Sequence, residues 1–249
     1  MKFLEFNNIF SDSSSKLEEE LFQFFENNNS MKMQISCLNP HSYMISLNNE
    51  LFNESLKRAN ILLADGIGIK LAFKFLNTNK RLNRITGFDL FKIASRLSNK
   101  LWLKVFFLGT NLQTLQKIKE NFQRDYPKAL FVGCYAPEYK ESFSEDDINK
   151  MAIEINKYNP DLLWIGISSP KQDIVARNLI NKTNSRLIGC IGAVFDYYSG
   201  NIKQPSKAIR RIGIEWIYRA IKEPLRMRQR LINNFRFVSL ILHKKINRE

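Results

Sequence analysis

Apolar residues along this chain fall into two alternating patterns: short continuous runs that close on glycine, and longer stretches with helical spacing. Ile61-Leu62-Leu63-Ala64 runs into Asp65-Gly66-Ile67-Gly68, and Val105-Phe106-Phe107-Leu108-Gly109, Leu162-Leu163-Trp164-Ile165-Gly166 and Leu187-Ile188-Gly189-Cys190-Ile191-Gly192 repeat that syntax. Such runs suit buried strands of a sheet covered on both faces. Between them, helices are predicted over 114–126 and 144–158, the second opening on Ser144-Glu145-Asp146-Asp147 as an N-cap. An earlier helix is predicted over 14–27, with Leu17, Leu21, Phe22 and Phe25 on one face. Pro127, Pro137 and Pro160 fall where loops or strand starts are expected. Alternating strand and helix predicts a largely parallel α/β sheet. Open sheets of this kind bind ligands outside the carboxyl ends of their strands, and the apolar run of 61–64 puts Asp65 at that rim. Two roles stand open for it on local sequence: a cap for the next helix, or chemistry.

Charge changes the picture at the other end of the chain. With 249 residues, 44% hydrophobic and 25% charged, the composition is that of an ordinary globular protein, but the formal net charge is +14. An excess of this size implies an anionic partner: nucleic acid, anionic lipid or a phosphorylated substrate. From Lys203 to Glu249 there are 13 Lys or Arg against Glu215, Glu223 and Glu249, so most of the surplus belongs to the tail. There Trp216, Ile217, Tyr218, Ile221, Leu225, Leu231, Phe235 and Phe237 interleave with Arg219, Arg226, Arg228, Arg230 and Arg236, which reads as basic amphipathic helices. The expected organisation is an α/β domain over 1–200 followed by a basic tail over 201–249. Neither a signal-peptide run at the N-terminus nor a window of ~20 apolar residues is present, so membrane contact is expected to be peripheral. Cys37, Cys134 and Cys190 show no metal-ligand spacing and fit a reducing cytoplasm.

Several chemistries lack their parts. His41 and His243 are the only histidines, and there is no Gly-x-Ser-x-Gly elbow, no Walker-type phosphate loop and no Asp-x-Asp pair to hold a divalent ion on a nucleotide diphosphate. Chemistry without metal or cofactor is therefore expected. Gly66-Ile67-Gly68 is a weak echo of a dinucleotide fingerprint and lacks its third glycine.

Four further clusters sit at element ends: Cys37-Leu38-Asn39-Pro40, Arg84-Ile85-Thr86-Gly87-Phe88-Asp89-Leu90, Ser169-Pro170-Lys171-Gln172-Asp173 and Gly192-Ala193-Val194-Phe195-Asp196. With the Asp65 segment, and with Glu215-Trp216-Ile217-Tyr218-Arg219 followed by Glu223-Pro224-Leu225-Arg226, their order and spacing resemble the WecG/TagA/CpsF family of bacterial glycosyltransferases. The resemblance implies a Rossmann-like, largely parallel sheet flanked by helices with a basic helical C-terminal appendage. It also implies inverting, metal-independent transfer of an N-acetylhexosamine-type sugar, with N-acetylmannosamine the first choice. The donor would be a UDP-sugar and the acceptor a polyprenyl-diphosphate-linked sugar, in cell-surface polysaccharide or teichoic acid synthesis. The chain would then be cytoplasmic and peripheral on the inner face of the cell membrane.

Inversion needs one base to take the proton of the attacking hydroxyl, and Asp65 matches the family's proposed base. A leaving diphosphate without a metal needs amides, helix N-termini and cations, for which Arg84, Lys171 and Gln172 are candidates, with Arg84 and Gln172 placed beside Asp65 in the catalytic group. Cys37, Asn39, Gly66, Gly68, Gly109, Lys171, Gly192 and Asp196 are the candidate donor-binding set, and Arg219, Arg226 and Arg230 the candidates for the acceptor diphosphate and the anionic membrane. Capping is the alternative for Gln172 and for Asp196, and an ordinary surface cation the alternative for Arg84. Two departures stand out: Cys37-Leu38-Asn39 where the family usually has Thr-x-Asn, and Gln204-Pro205-Ser206 where basic and small residues are usual. A thiol hydrogen-bonds poorly compared with a hydroxyl, so the first bears on donor choice or activity. The rival reading from another class is a non-catalytic nucleic-acid-binding α/β protein, because aromatics among cations suit bases as well as lipids. The motif set favours the membrane and no nucleic acid.

Overall fold

A computed structural model of the chain describes residues 6–27, 30–76, 81–206, 209 and 215–247, the side chain of Arg226 excepted. Its centre is a six-stranded sheet in which every paired neighbour is parallel: β1 (Met33–Leu38), β2 (Ile61–Ala64), β3 (Lys104–Gly109), β4 (Leu130–Tyr135), β5 (Leu162–Gly166) and β6 (Leu187–Cys190), in the order β2-β1-β6-β5-β3-β4. Three of the expected strands appear within a residue of their predicted bounds, and the fourth, β6, ends two residues early. The run at 187–192 bends after Cys190 because Gly192 takes φ +49°. Strand β1 carries Gln34 and Ser36 among its apolar residues, and β4, at the sheet edge, is only partly buried; neither was read from the sequence as an apolar run.

Side-chain alternation divides the core by sheet face. Ile35, Leu63, Val105, Phe107, Leu162 and Trp164 point to one face, where they meet α1 (Ser14–Glu26), α5 (Gly87–Leu101), α6 (Leu112–Asp125) and α9 (Val194–Tyr198). On the other face, Phe106, Leu108, Leu163 and Ile165 meet α7 (Glu145–Asn156) and α8 (Lys171–Leu179). There too Leu38, Leu62 and Ala64 meet α2 (Pro40–Ser46), α3 (Glu50–Arg58) and α4 (Ile67–Phe75). Burial is complete at Trp164, for which Gly189 makes room: a methyl group there would overlap the indole ring.

Helix starts follow local chemistry. Ser144 caps α7 and exchanges bonds with Asp147 in a capping box, as its sequence predicts, and Ser13 and Asn111 cap α1 and α6 through their side chains. The end of α1 is held differently: the Arg186 guanidinium donates to the carbonyls of Phe24, Phe25 and Asn27 at 2.6, 3.1 and 2.6 Å. These carbonyls have no partner within the helix, so a cation satisfies them from 160 residues away in sequence, roughly.

The basic tail forms α10 (Glu215–Lys222) and α11 (Pro224–Ile246). Helix α11 lies along α2, where Phe237 packs edge-on against Tyr43 with ring centroids 5.6 Å apart, and Phe237, Ile241 and Met227 are buried. Much of the rest of α11 faces outward, Leu225 at 91% exposure and Phe235 at 71%. No helix among the described residues is long and apolar enough to cross a membrane.

Candidate functional site

The chain leaves β3 outward to β4 but leaves β5 inward to β6, so the adjacent ends of β3 and β5 form a switch point where the flanking loops diverge. A cavity of about 2360 Å³ opens there and extends along the carboxyl ends of the sheet. The 136–143 loop, α10 and α11 all contribute to its walls. The motif clusters of the sequence therefore converge: Cys37, Asp65, Arg84, Lys171, Gln172 and Asp196 all line this one cavity, together with Arg219 and Arg230 from the tail.

Asp65 stands just beyond β2, its amide donating to the Leu38 carbonyl at the end of β1 (2.9 Å). It does not cap the next helix. Gly66 occupies that position at φ +91°, a conformation that suits glycine, and no side chain bonds to the first amides of α4. Burial comes first among the influences that push the Asp65 carboxyl up to about 6, followed by the Glu215 carboxylate; Arg84 pulls the other way. A carboxylate so tuned is a better proton acceptor near neutrality than an exposed aspartate.

Arg84 approaches because the following residue, Ile85, donates its amide to the Ala64 carbonyl at the end of β2 (3.3 Å). Its Nη2 donates to Glu215 Oε1 at 2.7 Å, and both side chains are largely buried. It is a cleft cation rather than a surface one. Gln172 lies in the first turn of α8 but does not cap it, since Pro170 holds the cap position and no side chain bonds there. The Gln172 side chain is buried, with no partner for Oε1 among the described residues, and sits against Gly192. An acceptor atom so placed at a cavity wall is available to a ligand donor.

The remaining donor-set residues divide by role. Cys37 lies half-buried beside Gly87; burial, and then the Asp65 charge, push its thiol well above the usual range, so it is a neutral wall of the cavity. Asn39 also lines the cavity, but its Oδ1 accepts from the Ser42 amide (3.0 Å) as the cap of α2. Gly68 lets α4 approach α2, for a side chain there would meet Pro40 Cγ at 2.5 Å. Lys171 donates from Nζ to the Lys140 carbonyl (2.7 Å) and lies over the Tyr139 ring, tying α8 to the 136–143 wall. Asp196 is within the first turn of α9, where Ala193 and not Asp196 holds the cap position. Gly109 is not among the lining residues: its backbone, at φ +129°, lies against Gly166 and turns the chain so that Thr110 and Asn111 reach the cavity.

From the tail, the buried Arg219 donates to Glu223 Oε2 from Nη2 (3.1 Å) and Nε (3.3 Å), with its guanidinium over the Tyr197 ring. Arg230 lines the cavity beyond it, while the side chain of Arg226 lies outside what is described. Gln204 and Pro205, the second sequence departure, also line the cavity.

Sequence reasoning passed over Glu215, Asp173 and His41. Glu215 and Asp173 were visible inside motifs, yet nothing local marks one as a partner of Arg84 or the other as fully buried. His41 lines the cavity with Nδ1 3.0 Å from Asn233 Nδ2, and burial, then Arg230, lowers it to about 4, so it is neutral near pH 7.

This geometry defines an α/β protein whose cleft has the means to hold an anion beside a proton acceptor. The chain belongs to the WecG/TagA/CpsF family of glycosyl transferases, whose family model matches residues 4–249. It is accordingly a glycosyltransferase. Among its relatives, the N-acetylglucosaminyldiphosphoundecaprenol N-acetyl-beta-D-mannosaminyltransferase of Bacillus subtilis (strain 168) is 25% identical over 86% of this chain and 81% of its own length. The enzymes of the same name from Bacillus spizizenii and Staphylococcus aureus (strain MW2) are 26% and 23% identical over 84% and 85% of the chain, and over 78% and 82% of their own lengths.

Proposed function

We propose that this glycosyltransferase moves an N-acetylmannosamine-type residue from a UDP donor to a polyprenyl-diphosphate-linked N-acetylglucosamine, with inversion and without a metal. The observation that carries the reading is Asp65: at the floor of a cleft in a chain of this family, it is free of any capping duty and raised to about 6. The relatives' names, which specify a diphosphate-linked acceptor and a mannosaminyl transfer, supply the substrate class.

In this reading Asp65 takes the proton of the acceptor hydroxyl as its oxygen bonds to the anomeric carbon. The bond from that carbon to the donor phosphate oxygen breaks, and UDP leaves with the electron pair. Arg84 meets the charge that grows on the leaving diphosphate, and the unsatisfied Gln172 Oε1 accepts a hydrogen bond from a donor hydroxyl or amide. Arg219 and Arg230, on the tail side of the cavity, receive the acceptor diphosphate.

The tail also supports peripheral membrane docking. Leu71 and Phe75 of α4 and Val238 and Leu242 of α11 are about half exposed beside the cavity, flanked by Lys74 and Lys245. An apolar strip among cations suits an anionic bilayer surface, where each cation contributes about 1 kcal/mol.

The test is turnover of candidate UDP-sugars on a soluble lipid-diphosphate-N-acetylglucosamine analogue, read by product mass. Asp65→Asn is expected to lose roughly 10²- to 10⁴-fold in kcat while melting like the wild type. Near-normal turnover by the folded variant would remove Asp65 from its role. In parallel, flotation with anionic vesicles should carry the full chain upward. Failure to float, combined with salt-sensitive nucleic-acid binding, would favour the rival partner.

A further inference from the structure

The pair of Glu215 and Arg84 joins residues 131 positions apart, and it sits where the tail closes over the end of β2. The tail therefore brings an acidic group, and not only cations, to the site. Its position bears on the base. Arg84 is fastened next to Asp65 through the Ile85 amide on the Ala64 carbonyl, and a cation beside a carboxylate favours its charged form and weakens it as a proton acceptor.

We infer that Glu215 is a positioning residue for the transfer: accepting from Arg84 Nη2 at 2.7 Å, it holds that guanidinium against α10 and sets the balance of charge around the Asp65 carboxylate. This rests on the reading of Asp65 as the base. Its effect has two parts of the same sign. Glu215 offsets the positive charge of Arg84, and its own negative charge disfavours a second carboxylate nearby. Among the charged groups that act on Asp65, Glu215 and Asp89 of α5 raise its proton affinity, whereas Arg84 and Arg230 of α11 lower it. The Cys37 thiol and the His41 ring that also line the cavity are neutral near pH 7. Glu215 leads among these charged neighbours, and it is the one the tail delivers from α10.

The experiment is the pH dependence of kcat/KM for the full-length chain, compared among wild type, Glu215→Gln, Glu215→Asp, Arg84→Gln and Asp65→Asn. Glu215→Gln is expected to move the acidic limb of the profile to lower pH by about one unit, a tenfold loss of proton affinity at the base. On the plateau it should lower the rate several-fold, because a weaker base accepts the proton less readily. Glu215→Asp, which keeps the charge, should hold the limb near its wild-type position even if docking of α10 is looser. Arg84→Gln should move the limb the opposite way. A folded Glu215→Gln protein with an unmoved limb overturns the inference, as does a limb that moves equally in Glu215→Asp. Should Asp65→Asn itself keep full activity, the underlying base assignment fails instead, and the two failures are told apart in one set of profiles. If Glu215→Gln does not fold, Arg84→Gln/Glu215→Gln is compared with Arg84→Gln: a lower limb in the double variant supports the inference, and an equal limb overturns it.

Discussion

Asp173 offers the sharpest test of the energetics beneath the cleft. It is fully buried in the first turn of α8, directly after Gln172, and accepts a hydrogen bond from Ser169 Oγ at 2.8 Å. Burial pushes its carboxyl up to about 6, against the help of Ser169 and Ser36, from an ordinary value of 3.8. Between these values the folded chain holds a proton that the unfolded chain has released, so the contribution of Asp173 to stability is greatest below about pH 4 and is lost as pH rises through 6. A shift of this size corresponds to at most about 3 kcal/mol lost across that window. Asp173→Asn removes the titration but keeps the shape. Urea melts of both proteins from pH 4 to pH 8 should therefore show the variant gaining on the wild type by up to about 3 kcal/mol, with the gain complete by pH 7. Any constant offset from the amide's own hydrogen bonding drops out of that comparison. Parallel pH dependences, or a variant that loses ground as pH rises, would refute the argument that burial governs this carboxyl.

Three further outcomes are expected. The kcat/KM of the wild type should fall below a limb near pH 6, since Asp65 must be deprotonated to act and is raised to about that value; a limb near 4 would show that burial does not tune it. Cys37→Thr places a stronger hydrogen-bonding group on the cavity wall without changing its size much, and should lower the donor KM about fivefold, or about 1 kcal/mol, with little change in melting; an unaltered KM for every UDP-sugar would remove Cys37 from the donor site. Gly189→Ala drives a methyl into the buried Trp164 ring and should cost about 1–3 kcal/mol, read as a lower melting temperature, whereas an unchanged melt would mean that the core yields there freely.

Helices 1, 6 and 7, the α/β class, three strand ends and the position of Asp65 were legible in the sequence because each depends on short-range periodicity, capping and the closure of an apolar run on glycine. The order of six motifs likewise named the family. At three positions the sequence left capping open, and there the fold gives the N-cap position to a neighbour: Gly66, Pro170 and Ala193 hold it rather than Asp65, Gln172 and Asp196. Strand order, the burial of Asp173, the seat of α11 on α2 and the meeting of Arg84 with Glu215 had no local signal. Each arises from contacts between residues far apart in sequence, whose partners are chosen by how faces of different elements pack and by which charges that packing removes from water. The residues of the cleft could be read along the chain; their proton affinities and pairings exist only once the tail and the sheet enclose them.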